Sequence, residues 1–214
     1  MIDSNFIKKS KLNIQNVSRE TLDELNAYSS SILNKNKEIN LISSTTEKSI
    51  NTRHIADSAQ IIDFINKNDV NVCTDLGSGA GLPGIVLAIL MKSKKPKFKV
   101  IFYEKSYHKS NFLEEISKKF KLNTEINQKN IFEQEDLETD IIISRAFKPL
   151  PIILEIASNN FKKFKYIILF LGKNGKEILK DATNKWKFDY EEKKSLTSDK
   201  SFILNIKKIR KKIS

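Results

Sequence analysis

The sequence predicts an α/β fold, in which a parallel sheet ends in an antiparallel hairpin and carries a helical extension at its N-terminus. From residue 71 onward, short apolar runs alternate with helical patterns, which is typical of a parallel sheet covered on both faces. Directly after the first apolar run, four of the six glycines of the chain lie within residues 77–84. The runs 187–194 and 201–209 are separated only by a polar turn, which indicates the hairpin.

The N-terminal third is predicted to be helical. Ser18 can cap a helix that ends near residue 40, and a second helix is expected over 52–66, because apolar residues recur there at helical spacing. Since both helices precede the glycine-rich stretch, we expect residues 1–68 to form a cap over a sheet domain of residues 69–214. The strands of that domain are predicted at 72–76, 98–103, 124–127, 140–144 and 166–171. Its helices are predicted at 83–92, 107–120, 149–161 and 174–186.

The composition limits the class of protein. A chain of 214 residues can bury a core without disulfides or a metal, and we expect a monomer that binds no metal. Lys and Arg outnumber Asp and Glu by 38 to 26, giving a net charge of +12. This excess favours a polyanionic partner, with nucleic acid ahead of a membrane, while a lysine-rich genomic composition stays open as the alternative. The single cysteine, Cys73, excludes a disulfide framework. No signal peptide or membrane-spanning run is present, which predicts a cytoplasmic protein.

A glycine-dense turn follows the first predicted strand and leads into an apolar helix. Such a turn suits a nucleotide, because exposed amide N–H groups and the helix dipole favour negative groups. The pattern Gly77-x-Gly79-x-Gly81, with Asp75 two residues before it, resembles the first motif of class I S-adenosylmethionine-dependent methyltransferases. The spacing Gly79-x-Gly81-x-x-Gly84 is also that of a dinucleotide-binding fingerprint. The glycines alone therefore leave the cofactor open.

Glu104 ends the second predicted strand. A carboxylate at this point can accept hydrogen bonds from both ribose hydroxyls of an adenosyl group. Together with the glycine turn, this favours a binding role for Glu104 over that of a solvated acid. The terminal hairpin in turn favours a methyltransferase, since a symmetrical dinucleotide fold would continue with another βα repeat.

Several motifs along the chain point to one family. They are Val17-Ser18-Arg19-Glu20-Thr21-Leu22, Asn40-Leu41, Arg53-His54-Ile55-Ala56-Asp57-Ser58, Asp75 through Gly84, and Ser144-Arg145-Ala146-Phe147. On these residues, and over nearly its full length, the chain resembles the GidB (RsmG) family of small-subunit ribosomal RNA guanine-N7 methyltransferases. The Arg-His-x-x-Asp-Ser and Ser-Arg-Ala-Phe segments are far more specific than any glycine pattern.

The resemblance implies S-adenosyl-L-methionine as cofactor and 16S ribosomal RNA, or the small ribosomal subunit, as partner. The cofactor-binding residues that it implies are Asp75, Gly77, Gly79, Leu82, Glu104, Asn130, Ile131 and Arg145. Glu104 stands where Asp is usual. Ile131 stands where Glu is usual, so only an apolar wall and a backbone contact are implied there. Arg145 is also the catalytic candidate, with an ion pair to Asp75 or Asp140 as the alternative.

The candidate RNA-binding residues are basic, with one histidine among them: Arg53, His54, Lys162, Lys163, Lys165 and Lys173. Lys173 follows its glycine, whereas the family commonly has Lys-Gly. For His54 the alternative is a hydrogen bond to Asp57 on the same helix face, which would hold the cap over the glycine turn.

The chemistry implied by the resemblance needs no general base. Guanine N7 has a lone pair in the ring plane and no proton at neutral pH, so alignment and charge complementarity suffice. The chain has Ser144-Arg145-Ala146-Phe147 where an amino-group methyltransferase would have Asn-Pro-Pro-aromatic, whereas a 2′-O-methyltransferase is less firmly excluded. Two further alternatives stay open: an RNA-binding assembly factor that has lost catalysis, and a nucleotide-dependent oxidoreductase.

Overall fold

The computed structural model describes residues 1–3, 17–67 and 69–212. Residues 4–16 and 68 of the predicted cap therefore lie outside the described residues, as do 213 and 214. The α-helices are α1 (Arg19–Lys35), α2 (Asp57–Ala59), α3 (Ile62–Lys67), α4 (Gly84–Met91), α5 (Tyr107–Phe120), α6 (Leu150–Asn160) and α7 (Gly175–Lys185). The strands are β1 (Val72–Leu76), β2 (Lys99–Tyr103), β3 (Thr124–Asn127), β4 (Leu137–Glu138), β5 (Ile141–Arg145), β6 (Phe161–Lys163), β7 (Tyr166–Leu171), β8 (Trp186–Lys194) and β9 (Phe202–Lys211). Two 3₁₀ segments, Ser44–Ser49 and Ile131–Glu133, and a π-helical segment, Asn51–Ala56, complete the elements.

Seven strands form one sheet in the order β3-β2-β1-β5-β7-β9-β8. The first five strands of that order are parallel to one another, and β9 runs antiparallel to β7 and β8. This architecture confirms the predicted parallel sheet that ends in an antiparallel hairpin. The sequence did not predict the separate pair β4 and β6, because strands of two and three residues carry no readable period.

The strand β1 lies at the centre of the parallel part of the sheet. It pairs with β2 on one side, where Asp75 faces Phe102, and with β5 on the other, where Asp75 faces Ile143. The chain builds outward from β1 in both directions, so the strand order reverses there. Open α/β sheets bind ligands at such a reversal, outside the carboxyl ends of the strands.

The cap and the sheet domain share one hydrophobic core. Every residue of α4 is buried, because this helix contacts β1 and β2 on one side and α1 and α2 of the cap on the other. Tyr28 of α1 is fully buried, and its hydroxyl donates a hydrogen bond to the carbonyl oxygen of Ala80 at 2.7 Å. The cap is therefore fixed to the glycine turn itself as well as to α4.

The first cap helix is shorter than predicted. It begins after Ser18, whose side chain accepts a hydrogen bond from the Thr21 amide, as the capping pattern indicates. It ends at Lys35 instead of near residue 40. The reason is Asn36, whose side-chain oxygen accepts hydrogen bonds from the amides of Leu41 and Ile42 at 2.8 and 2.9 Å. This contact turns the chain back toward the sheet.

The second cap helix, predicted as one element over 52–66, is broken into the π-helical segment, α2 and α3. The break follows Gln60, where the Phe64 amide bonds to the carbonyl of Ile61. The Gln60 carbonyl accepts a hydrogen bond from the Lys193 amine at 3.2 Å instead. The prediction of a continuous helix was therefore wrong, because a partner distant in sequence takes a helical acceptor.

No helix in the described part of the chain is both long enough and apolar enough to cross a membrane.

Candidate active site

A cavity of about 580 Å³ opens where β1, β2 and β5 end. Its wall combines residues of the cap with residues of the loops that follow these strands. The lining residues are Leu41, Ile42, Ser43 and His54 of the cap, Gly77, Ser78, Gly79, Ala80 and Leu82 after β1, Tyr103, Glu104, Lys105 and Lys109 around the end of β2, Lys129, Asn130, Ile131 and Phe132 after β3, and Arg145, Ala146, Phe147 and Lys148 around the end of β5.

The glycine turn supplies one face of the cavity. Gly77 and Gly79 both have positive φ, +66° and +56°, which few other residues adopt. A Cβ atom on Gly77 would overlap the ring of Phe147, so this glycine admits the aromatic residue. A Cβ atom on Gly79 would meet nothing closer than the Gly77 carbonyl at 3.9 Å. Of these two glycines, Gly79 therefore leaves space on the cavity side.

Asp75 lies beneath the glycine turn and not on the cavity wall. Its side chain is almost completely buried, and Oδ2 accepts a hydrogen bond from the Gly84 amide at 2.9 Å. Ser78 Oγ donates to the Asp75 carbonyl oxygen at 2.9 Å. Burial raises the pKa of the carboxyl group to about 7, against the opposing effect of the Gly84 amide. Asp75 thus shapes the turn from inside, which differs from the cofactor contact implied by the sequence.

Glu104 connects the end of β2 to the glycine turn. One carboxylate oxygen accepts a hydrogen bond from the Gly79 amide at 2.9 Å, and the other accepts one from the Ser106 amide at 2.9 Å. The side chain reaches the cavity while its position is fixed from both sides. Each oxygen retains a further lone pair, so the carboxylate can also accept hydrogen bonds from hydroxyl groups of a ligand.

Asn130 and Ile131 form the neighbouring part of the wall. Ile131 is 3% exposed and contributes an apolar surface. The Asn130 side-chain oxygen accepts a hydrogen bond from the Phe132 amide at 3.3 Å, which caps the 3₁₀ segment. Leu82, 8% exposed, also reaches the cavity. The sequence therefore located the three sides of the cavity that the strand ends supply.

Arg145 joins the end of β5 to the cap. Its Nη2 atom donates a hydrogen bond to the Arg53 carbonyl oxygen at 2.7 Å and lies 3.2 Å from Asp57 Oδ2. The guanidinium also lies over the Phe170 ring, 5.8 Å from its centroid. Only 18% of the side chain is exposed, and this burial lowers the pKa of Arg145 from its ordinary value. The acidic partner of Arg145 is thus Asp57, and not Asp75 or Asp140.

Asp57 connects Arg145 to the C-terminal hairpin. Its Oδ1 atom accepts hydrogen bonds from Gln60 Nε2 at 2.7 Å, Ser195 Oγ at 3.1 Å and Thr197 Oγ1 at 2.6 Å. The cap, the sheet and the loop between β8 and β9 therefore meet at one carboxylate.

His54 lines the cavity but does not bond to Asp57. Its Nε2 atom lies 2.8 Å from Thr46 Oγ1, and the Thr46 hydroxyl donates to the Ser43 carbonyl oxygen. His54 Nε2 must then carry the proton, which leaves Nδ1 as a buried acceptor without a partner among the described residues. Burial, followed by the charges of Arg145 and Arg53, lowers the pKa of His54 to about 4. The imidazole is therefore neutral at neutral pH.

Four lysines stand at the cavity: Lys105, Lys109, Lys129 and Lys148. Among the described residues, no carboxylate forms an ion pair with any of them. Sequence reasoning missed all four, although each lies in a loop or first helical turn after a parallel strand, at the edge where ligands bind. Position along the strand, and not the density of basic residues, was the signal that could have found them.

The lysines that the sequence favoured lie elsewhere. Lys163 ends β6 and Lys165 precedes β7, so both lie at the edge of the sheet opposite the cavity, roughly 16 Å away for a strand of five residues. Lys162 pairs with Asp136 at 3.2 Å, and Lys165 pairs with Asp140 at 3.0 Å. Lys173 follows β7 at the cavity edge, but it is exposed and does not line the cavity.

No cluster of three or more His, Cys, Asp or Glu side chains within the described ranges could hold a metal ion. Cys73 in β1 is buried, and burial raises the pKa of its thiol well above the ordinary value.

Comparison with known sequences gives one consistent family. The family described as GidB, rRNA small subunit methyltransferase G, matches residues 21–206. A ribosomal RNA small subunit methyltransferase G of Pelagibacter ubique (strain HTCC1062) is 52% identical over 200 residues, which covers 92% of this chain and 93% of the relative. A protein of the same name from Orientia tsutsugamushi (strain Ikeda) is 38% identical over 197 residues, covering 92% and 96%.

Solved structures agree on the fold. An S-adenosylmethionine-dependent methyltransferase from Aquifex aeolicus superposes with a TM-score of 0.55 at 17% identity, covering 77% of this chain and 98% of the other. An rRNA methylase from Escherichia coli superposes with a TM-score of 0.53 at 10% identity, covering 90% and 77%.

The raised pKa of Asp75 predicts a pH-dependent stability that Asp75→Asn removes. Burial raises the pKa from 3.8 to about 7, so the folded protein retains a proton that the unfolded chain releases between these values. The free energy of unfolding contributed by this group therefore decreases as the pH rises from about 4 to about 7. The asparagine can accept the same Gly84 hydrogen bond but does not titrate.

Urea denaturation of both proteins at about pH 5 and about pH 8 measures this effect. We expect the asparagine variant to gain stability relative to the wild type at the higher pH. An unchanged difference in unfolding free energy between the two proteins would contradict the burial of an ionisable carboxyl group.

Proposed function

Because the chain belongs to the GidB family of small-subunit ribosomal RNA methyltransferases, we propose that it transfers a methyl group from S-adenosyl-L-methionine to N7 of a guanine in 16S ribosomal RNA. The observation that carries the methyl transfer is the family match over residues 21–206, which includes the whole cavity wall. The choice of N7 rests on the chemical groups within that wall.

The cavity has features that fit S-adenosylmethionine. Gly79 leaves space where a Cβ would stand, and Glu104 presents a fixed carboxylate to the same cavity. Glu104 would accept the ribose hydroxyls, while Ile131 would border the adenine with an apolar surface. Gly77 and Leu82 would contact the cofactor along the glycine turn. When bound, the cofactor supplies an electrophilic methyl group on a sulfonium.

The inventory of cavity groups supports N7 as the acceptor atom. The carboxylate and imidazole groups among the described lining residues are Glu104 and His54. Both oxygens of Glu104 already accept amide hydrogen bonds, and His54, with a pKa of about 4, is a weak base. An amino group or a ribose hydroxyl would need a base to remove its proton, whereas N7 carries none. The remaining requirements are alignment and exclusion of water.

Arg145 meets the alignment requirement through the cap. Its contacts to Arg53 and Asp57 hold the π-helical segment at the end of β5, and this segment carries His54 into the cavity wall. We therefore propose Arg145 as a residue that positions the cap against the reacting groups.

The two alternative functions are less well supported. A nucleotide-dependent oxidoreductase is disfavoured by the family membership and by the antiparallel hairpin at the edge of the sheet. An assembly factor without catalysis would not need the glycine turn, Glu104 and the open cavity to be retained together. Methyl transfer also implies that the protein acts in the cytoplasm, on 16S RNA alone or within the small subunit, and we propose that it does so as a monomer.

Mapping of the methylated atom tests the proposal directly. N7-methylguanine makes RNA sensitive to chain cleavage by borohydride and aniline. We expect one cleavage in small-subunit RNA from cells with the gene and none at that guanine in cells without it. A methyl group found on a base amine or a ribose hydroxyl would contradict the choice of N7, and absence of methylation would favour the assembly factor.

Arg145→Lys should keep the positive charge but lose much of the methylation rate. A lysine has one donor point in place of a planar fork, so it cannot reproduce both contacts in fixed geometry. Arg145→Ala should lose nearly all of the rate, and we expect both variants to bind S-adenosylmethionine more weakly. Methylation by the lysine variant at the wild-type rate would reduce Arg145 to a local counter-charge.

Asp57→Asn is the matched variant for this measurement. If Arg145 acts by holding the cap, Asp57→Asn should reduce the rate in parallel with Arg145→Lys. A full rate for Asp57→Asn, with a reduced rate for Arg145→Lys, would mean that Arg145 contacts a ligand directly. Urea denaturation of each variant separates loss of function from loss of fold.

The lysines around the cavity should contribute to RNA binding more than those at the opposite edge. Lys129→Gln with Lys148→Gln removes two unpaired charges, and Lys162→Gln with Lys163→Gln removes the same charge from the other edge. If both mouth lysines contact phosphates, the slope of log affinity against log salt should become shallower by about 1.4, at about 0.7 for each single-strand contact. Filter binding of 16S RNA at several salt concentrations measures the slope. An equal change in the control would support RNA binding at Lys162 and Lys163, and a flat dependence in the wild type would make the basic charge compositional.

A further inference from the structure

Phe132 is a large aromatic residue that the fold leaves in solvent at the cavity. The 3₁₀ segment Ile131–Glu133 buries Ile131 to 3% exposure, whereas Phe132 is 49% exposed. Complete burial of such a ring is worth roughly 1.5–3 kcal/mol, so about half of that gain is not realised here. The ring is held in place from its backbone, because the Asn130 side chain binds the Phe132 amide.

The Phe132 ring forms part of the wall of two adjoining cavities. One is the large cavity described above. The other has a volume of about 240 Å³, large enough for a nucleobase, and its further lining includes Gln134, Ile152, Ile156 and Asn159. The second cavity therefore combines an aromatic ring and aliphatic side chains with amide groups that can bond to the edge of a base.

A second ring and a cation stand next to Phe132. The ring of Phe147 is 6.5 Å from that of Phe132, with a tilt of 43° between the planes. The amine of Lys148 lies 5.8 Å from the Phe132 centroid and 5.9 Å from the Phe147 centroid. Gly77 admits Phe147 by its lack of a Cβ, so the pair of rings is built onto the glycine turn. A positive charge thus sits between the entrances to the two cavities.

We propose that Phe132 is a stacking platform for an unpaired RNA base next to the target guanine, which enters the smaller cavity while the guanine enters the larger one. Lys148 then contacts the phosphate between these two nucleotides. Aromatic rings beside a lysine are the chemistry with which proteins bind single-stranded RNA, since every base has a face that can stack. The inference rests on the proposed function for the position of the guanine, but the stacking itself does not depend on which atom is methylated.

The variants Phe132→Ala and Phe132→Trp test the platform, with Tyr190→Ala as the matched control. Tyr190 on β8 is 46% exposed and lies 5.9 Å from the Phe188 ring, so it is a similar exposed aromatic pair that lines neither of the two cavities. The measurements are the affinity for 16S RNA by filter binding, the KM and kcat of methyl transfer to that RNA, and the affinity for S-adenosylmethionine by calorimetry.

For Phe132→Ala we expect RNA affinity to fall and KM for RNA to rise by roughly 5- to 150-fold, which corresponds to the loss of one stacked base. The affinity for S-adenosylmethionine should be unchanged, Phe132→Trp should restore RNA binding, and Tyr190→Ala should behave as the wild type. An unchanged RNA affinity in Phe132→Ala overturns the proposal. A loss of S-adenosylmethionine affinity in that variant also overturns it, because the ring would then serve the cofactor. If the wild type methylates an atom other than N7, the proposed function fails while the comparison of RNA affinities still decides the stacking.

Discussion

The contact between Arg145 and Asp57 holds together the three parts of the molecule that enclose the cavity. Arg145 belongs to the central sheet, Asp57 belongs to the cap, and Asp57 also binds the loop of the terminal hairpin. Both side chains are largely withdrawn from water, so loss of either would leave an uncompensated charge in a poorly solvated place. The cap wall of the cavity, with His54 in it, therefore depends on a pair of residues that face away from the glycine turn.

Most of the fold could be predicted because its cause is local. The buried strands are short apolar runs such as Ile141–Ser144, and the hairpin follows from two runs with a polar turn. The errors lie where a contact distant in sequence overrides a local pattern. Asn36 stops α1 by binding the amides of residues 41 and 42, and Lys193 takes the carbonyl of Gln60 and breaks the second cap helix. Helical periodicity contains neither contact.

The site could be predicted in its location more than in its detailed roles. The glycine turn and Glu104 follow from their place after two neighbouring strands, and they meet at a hydrogen bond between Gly79 and Glu104. The orientation of Asp75, toward Gly84 inside the turn, needs the backbone path that only the fold supplies. Basic residues were chosen by their density along the chain, which favoured Lys162 and Lys163 over Lys129 and Lys148. A cluster in sequence gives no information on which end of a strand it occupies.

The bonds from Asp57 to the hairpin loop have a consequence for the birth of the protein. They join residues that are 138 and 140 positions apart in the chain. A ribosome that adds about 5–20 residues per second makes these partners on the order of 10 s after Asp57 itself. During that interval the cap can pack on α4, but its carboxylate cannot yet be satisfied by the hairpin. An enzyme that modifies ribosomal RNA thus completes its own active cavity only late in its translation by a ribosome.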